Sequence, residues 1–114
     1  MINISEGALE ELACIPSTLQ QLVQNGERYL RRVYPAGSHI QSGNLNPLTC
    51  WRAGSHFAAV NMQTYDLGLQ LNEAMFFGTS GWVPKPTSLL GEEPKGGQMR
   101  FKIHIYGLSS RAFD

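Results

Sequence analysis

A parallel α/β fold is what this sequence predicts for most of its length, and three observations carry that expectation. β-prone or apolar runs at residues 29–34, 57–61 and 81–84 alternate with stretches of helical periodicity. The connections between those runs are too long for hairpins, and parallel strands need long crossovers. Beyond a glycine- and proline-rich segment at residues 87–98, strict two-residue alternation begins, which marks a strand with one buried face and a change of fold.

Composition bounds the rest. The chain has 114 residues, enough for one small domain with a core. Nine basic and nine acidic side chains give a formal net charge of zero, so no chain-wide field favours nucleic acid or an anionic membrane. Any anion site must be local. No apolar run approaches the ~20 residues of a membrane-spanning helix, and no basic-then-apolar leader is present, so the sequence reads as intracellular. Cys14 and Cys50 lack metal-ligand spacing and are expected to be reduced and partly buried.

Taken in order, residues 1–26 predict two packing helices. Ser5 suits an N-cap with Glu6 in the first turn, Ala8, Leu9, Leu12 and Ala13 form one stripe, and Pro16 closes the segment. A second helix is expected from Ser17, whose spacing to Gln20 is that of a capping box, with Leu19, Leu22 and Val23 apolar and Asn25-Gly26 as its stop. Residues 29–34 predict the first strand.

Residues 36–47 hold glycines, asparagines and a proline, and predict a loop. Pro47 opens a short helix ending at Gly54, with Leu48 and Trp51 as its buried side. The near-continuous apolar run Phe57-Ala58-Ala59-Val60-Asn61 predicts a strand covered on both faces, whose end delivers Asn61 and Gln63 to the rim. Thr64 or Asp66 caps the next helix, expected over residues 65–76 with Leu67, Leu71, Ala74 and Met75 inward and Gly78 as its stop. Gly81-Trp82-Val83-Pro84 is a short apolar strand. Met99, Phe101, Ile103 and Ile105 alternate with Arg100, Lys102, His104 and Tyr106 in a final strand with one buried face.

The chemistry concentrates between Arg32 and Thr64. Arg32-Val33-Tyr34 is stopped by Pro35 and Gly37, and Arg32 and Tyr34 share a strand face near its carboxyl end, where α/β folds meet ligands. A guanidinium fork suits phosphate oxygens, and a tyrosine offers a ring face and a hydroxyl, so the pair suits a phosphorylated ring. A surface arginine beside a half-buried tyrosine is the plainer alternative. Arg28, Arg31 and Arg52 complete the local positive charge, and Arg28 and Arg31 suit a solvated basic face equally well.

Arg32-Val33-Tyr34-Pro35-x-Gly37, Ser42-x-Asn44, Pro47, Trp51, Gly54, Ala59-x-Asn61-x-Gln63-Thr64 and Gly81-Trp82-x-x-Lys85-Pro86 together resemble the Y region of eukaryotic phosphoinositide-specific phospholipase C. Ser5-Glu6 looks like the point where that region opens. The resemblance implies a partial TIM (β/α) barrel, its C-terminal half, over residues 1–86, a linker over 87–98, and the first strand of a C2-type β-sandwich over 99–114. It also implies the family reaction, hydrolysis of phosphatidylinositol 4,5-bisphosphate to diacylglycerol and inositol trisphosphate in intracellular signalling.

By the same resemblance, Arg32 matches an arginine that contacts a headgroup phosphate, and Tyr34 a tyrosine whose ring packs on the inositol. Asn3 falls where the family has a headgroup-contacting serine, with Ser5 the alternative. The family's catalytic histidines and Ca²⁺ ligands belong to the preceding X half, so the chain is expected to supply no catalytic or metal-binding residue. The implied partners are the lipid headgroup, the X half and, peripherally, a membrane, in the cytoplasm and without nucleic acid. His39, His56 and His104 lie outside the family's catalytic motifs and read as structural, and Glu6, Glu10, Glu11 and Glu73 as solvated charge. Ser38-His39, Gly43 and His56 depart from the family pattern, which bears on loop shape and phosphorylation preference. The competing class is a non-catalytic remnant that binds an inositol headgroup or a partner chain.

Overall fold

The computed structural model describes residues 1–90, 100–104 and 106–107. Its strands are β1 (Ile2–Ser5), β2 (Arg31–Tyr34) and β3 (Phe57–Ala58); its helices are α1 (Glu6–Ala13), α2 (Pro16–Arg28), α3 (Pro47–Arg52) and α4 (Leu67–Phe76). Short 3₁₀ turns lie at Ile40–Ser42 and Thr87–Leu89. The three strands form one sheet in the order β1-β2-β3, and both pairings are parallel. This is a mixed α/β structure with a small parallel sheet, consistent with part of a barrel.

The register positions everything that follows. Ile2 pairs with Arg31, Asn3 with Arg32, Ile4 with Val33 and Ser5 with Tyr34, while Arg32 and Val33 pair with Phe57 and Ala58. Because successive side chains alternate across a strand, partners in this register share a face. Val33 and Arg31 are buried on the helix side of β2, whereas Arg32 and Tyr34 are exposed on the other. The core therefore lies on one face of the sheet, where Leu9, Val33, Leu45, Cys50 and Ala53 cluster with Ile4, Leu19, Leu22, Ala58 and Val60 against them.

Local signals explain most elements. Ser5 caps α1, its Oγ accepting from the Ala8 N–H at 3.3 Å. Asn46 Oδ1 accepts from Leu48 N–H at the start of α3, and Asp66 Oδ1 from Leu69 N–H at the start of α4, each meeting a donor the helix leaves unpaired. α4 ends at Phe76, and Gly78 takes φ +70° just beyond it.

Several expectations are corrected. β1 was not anticipated, although Ile2 and Ile4 give the right alternation; it makes the strand at Arg31–Tyr34 the second. Pro16 opens α2 instead of closing α1, because a proline at N1 forfeits a donor that has no partner there anyway. The cap position falls on Ile15 and makes no side-chain bond, so Ser17 forms no capping box. Gly26 does not stop α2, which runs on to Arg28. In α3 the buried residues are Pro47 and Cys50, while Leu48 is 48% exposed.

In α4 the buried residues are Gly68 and Leu69, and Leu67 is 68% exposed. β3 stops at Ala58, and no strand forms over residues 81–84. Cys50 is buried, its thiol pushed up to about 12 chiefly by desolvation, but Cys14 is exposed. Of the expected final strand, residues 100–104 and 106 carry no strand, and the remainder of 99–114 except Gly107 lies outside the described residues, as does most of the 87–98 linker.

Candidate functional site: the open face of the sheet

Arg32 and Tyr34 stand on the uncovered face of β2, with Tyr34 40% exposed at its carboxyl end. Register brings Asn3 beside Arg32 and Ser5 beside Tyr34 on the neighbouring strand, about 4.8 Å away across a sheet. All four residues singled out from sequence therefore share one face. Among the described residues the Arg32 side chain makes no hydrogen bond or ion pair, so its fork is free for an outside anion. Ser5 Oγ already serves as the α1 cap, which leaves its hydroxyl hydrogen available.

The adjacent arginine has the opposite fate. Arg31 is 2% exposed; its guanidinium donates to Ala53 O at 2.9 Å, Leu22 O at 2.8 Å and Asn25 Oδ1 at 3.0 Å. It joins α2 to the end of α3, and burial pushes its acidity up, lowering its pKa from the ordinary arginine value. The expectation of a solvated basic face is wrong for Arg31.

At the amino end of β2 two further basic groups meet it. Arg31 N–H donates to His56 Nδ1 at 3.2 Å, and Lys85 Nζ lies 3.1 Å from His56 Nε2. The Lys85 amine also donates to Gly26 O at 3.1 Å and Gly54 O at 2.7 Å, tying the segment after α4 to α2 and α3. Burial first, then Lys85 and Arg31, hold His56 below the usual histidine range; a second ring proton would face two donors. Burial and Arg31 likewise lower Lys85, partly offset by Glu27. This cluster was missed from sequence, since 59 residues separate Gly26 from Lys85.

At the carboxyl end of the strands a different network forms. Glu6 Oε2 accepts from Ala36 N–H at 3.2 Å and meets His39 Nε2 at 2.5 Å, so Glu6 is not solvated charge. Asn44 Nδ2 reaches Asn61 O, Thr64 O and Asp66 Oδ1 at 2.9–3.2 Å, Asn44 N–H donates to Asp66 Oδ2 at 2.9 Å, and Asn44 Oδ1 accepts from Asn61 N–H. The two bonds from Asn44 hold the Asp66 carboxyl below its ordinary range. Asn61 and Gln63 lie beyond β3, which ends at Ala58 instead of carrying them; the Asn61 amide donates to Ser42 O at 3.1 Å, and Gln63 is exposed.

A cavity of about 360 Å³ lies elsewhere, between β3, α3, α4 and residues 81–89, walled by Trp51, Phe57, Phe76 and Trp82. Ser55 Oγ is buried beside it with no partner among the described residues. Those residues bring no three His, Cys, Asp or Glu side chains together in a way that could hold a metal ion. Glu6 and Asp66 are committed to Ala36, His39, Asn44 and Leu69, so among the described residues these acids do not fit a Ca²⁺ site. None of the described helices is long and apolar enough to cross a membrane.

Comparison with known proteins places the chain in a family. The chain is 50% identical over 70 residues to the 1-phosphatidylinositol 4,5-bisphosphate phosphodiesterase 1 of Candida albicans, covering 60% of this chain and 6% of that protein. It is 38% identical over 91 residues to the 1-phosphatidylinositol 4,5-bisphosphate phosphodiesterase gamma plc-3 of Caenorhabditis elegans, covering 74% of this chain and 7% of that one. Phosphoinositide phospholipase C 2 of Arabidopsis thaliana is 37% identical over 91 residues, 78% of this chain and 15% of its own length. The chain thus spans a small fraction of these relatives. The family model described as phosphatidylinositol-specific phospholipase C, Y domain, matches residues 1–88, and the chain belongs to that family.

Proposed function

We propose that this chain supplies the headgroup-holding face of a phosphoinositide phospholipase C, the enzyme class that hydrolyses phosphatidylinositol 4,5-bisphosphate to diacylglycerol and inositol trisphosphate. The observation that carries it is the shared face: Asn3, Ser5, Arg32 and Tyr34 stand together on the open side of the sheet. Arg32 pairs with a headgroup phosphate, the Tyr34 ring packs on the inositol, and Asn3 and Ser5 offer an amide and a hydroxyl to its oxygens. The sheet is read as the C-terminal half of a barrel whose X half brings the acid–base groups and calcium. This chain's residues contribute binding and orientation, and no proton transfer is assigned to them. Residues 99–114 are read as the start of a C2 domain, and the membrane contact as peripheral and cytoplasmic.

The test is binding. Inositol 1,4,5-trisphosphate and unphosphorylated inositol are each equilibrated with the chain and with its Arg32→Ala variant. Loss of a charge-assisted bond worth ~1.5–3 kcal/mol weakens the trisphosphate about tenfold to a hundredfold, with a much smaller effect on inositol. Equal losses on both ligands sink the phosphate assignment.

A further inference from the structure

We propose that Glu6 and Asn44 are positioning residues for the Arg32–Tyr34 face. They clamp the two ends of the loop at residues 35–46, which leaves β2 directly after Tyr34. The inference rests on the headgroup reading above and names two residues that act on the ligand through Tyr34 and this loop.

The loop has no reason of its own to be ordered. It contains Gly37 and Gly43 and one short 3₁₀ turn, and fixing each of its residues costs conformational entropy. Its order comes from outside. Glu6 follows Ser5, which pairs with Tyr34, so its carboxylate stands at the end of β1 beside the tyrosine's own exit. There it takes the Ala36 N–H, two residues past Tyr34, and the His39 imidazole. A single carboxylate oxygen therefore sets the first turn of the loop and the direction in which the chain leaves the tyrosine.

The far end is held by Asn44. Its amide oxygen and amide nitrogen are both engaged, and its backbone N–H is taken by Asp66, so it joins the loop to the segment between β3 and α4. Between the clamps, Gln41 and Ser42 adopt left-handed conformations at φ 63° and 58°. Side chains lose energy there that glycine does not. Their carbonyls are held by that same segment: Thr64 Oγ1 donates to Gln41 O at 3.4 Å and Asn61 Nδ2 to Ser42 O at 3.1 Å. Strained backbone persists where its surroundings over-determine it, and such places cluster at ligand clamps. Preorganising a loop before the ligand arrives removes an ordering cost from binding.

The experiment uses the whole chain, with amide hydrogen exchange read by mass spectrometry and equilibrium dialysis of inositol 1,4,5-trisphosphate. Glu6→Ala is expected to speed exchange across residues 36–43 by about tenfold or more, by local opening, while peptides from β1 and β2 stay protected. The same variant weakens the ligand roughly tenfold through lost preorganisation. Glu6→Gln keeps an oxygen for Ala36 and a polar contact to His39, so it restores most of both signals, which a role in charge alone does not. Asn44→Ala is expected to loosen residues 41–46; if it fails to fold, the two Glu6 variants decide. Unchanged loop exchange in Glu6→Ala, or a loosened loop with undiminished binding, overturns the clamp while leaving the headgroup reading in place. Wild-type chain that binds no trisphosphate overturns the headgroup reading and this use of the loop with it.

Discussion

Arg31 and Arg32 are neighbours in sequence and opposites in environment, because a strand sends alternate side chains to opposite faces. Replacing Arg31 by Met strands the buried Ala53 carbonyl without its donor, at ~1–3 kcal/mol, and removes the additional bonds to Leu22 O and Asn25 Oδ1. Urea unfolding is expected to show a lowered midpoint for Arg31→Met and, for the exposed Arg32→Ala, a change within ~0.5 kcal/mol. Similar losses in both variants would contradict the two-face arrangement. His56 supplies a pH signature. Its folded pKa is depressed, so the unfolded chain takes up the proton first, and stability present above pH ~6.5 is lost as pH falls below that value. Midpoints measured at pH 7.5 and 5.5 should fall toward acid, and His56→Gln, which cannot titrate, should flatten that dependence.

Among the helices, α2 is the one that runs past its expected stop, and Gly26 is the reason. A glycine near a helix end reads as a stop. Here it sits inside the helix because a Cβ on it would meet Gly54 O at 2.5 Å, a backbone atom that cannot step aside. The same two glycine carbonyls receive the Lys85 amine. Gly26→Ala gains ~1 kcal/mol of helix propensity, yet overpacking costs ~1–3 kcal/mol. The expected outcome is net destabilisation, read as a lowered thermal midpoint; a stabilised variant would mean the turn at Gly54 yields freely. α1, by contrast, starts where its sequence says, since Ser5 caps it through a contact three residues away.

For the whole molecule the decisive fact is a sheet with one covered face. Three parallel strands leave two edges, and Tyr34 and Phe57 are 40% and 37% exposed on the open side, with Ile2 40% exposed on the edge strand and Trp82 72% exposed farther along the chain. Such surface invites pairing with another chain. The isolated chain is therefore expected to self-associate with rising concentration in sedimentation velocity, and, on the proposed reading, a polypeptide carrying the X half of the barrel should disperse it. A monomer across the whole concentration range, melting cooperatively without a partner, would refute this.

What the sequence determined by itself was local or carried by motif. The caps at Ser5 and Asp66, the strand that presents Arg32 and Tyr34, and the family all follow from residues close together in the chain, whereas the buried sides of α3 and α4 fall on Cys50 and Leu69 instead of the expected Leu48 and Leu67. Tertiary structure decided what depends on distant partners. β1 is four residues long and becomes a strand because β2 supplies its bonds. Arg31 is buried because α2, the turn at Ala53 and His56 surround it, and Glu6 is a clamp because Ala36 and His39 return to it across 30 and 33 residues. Periodicity and capping are written within a few residues, whereas the partner of a buried polar group is chosen by where the chain comes back.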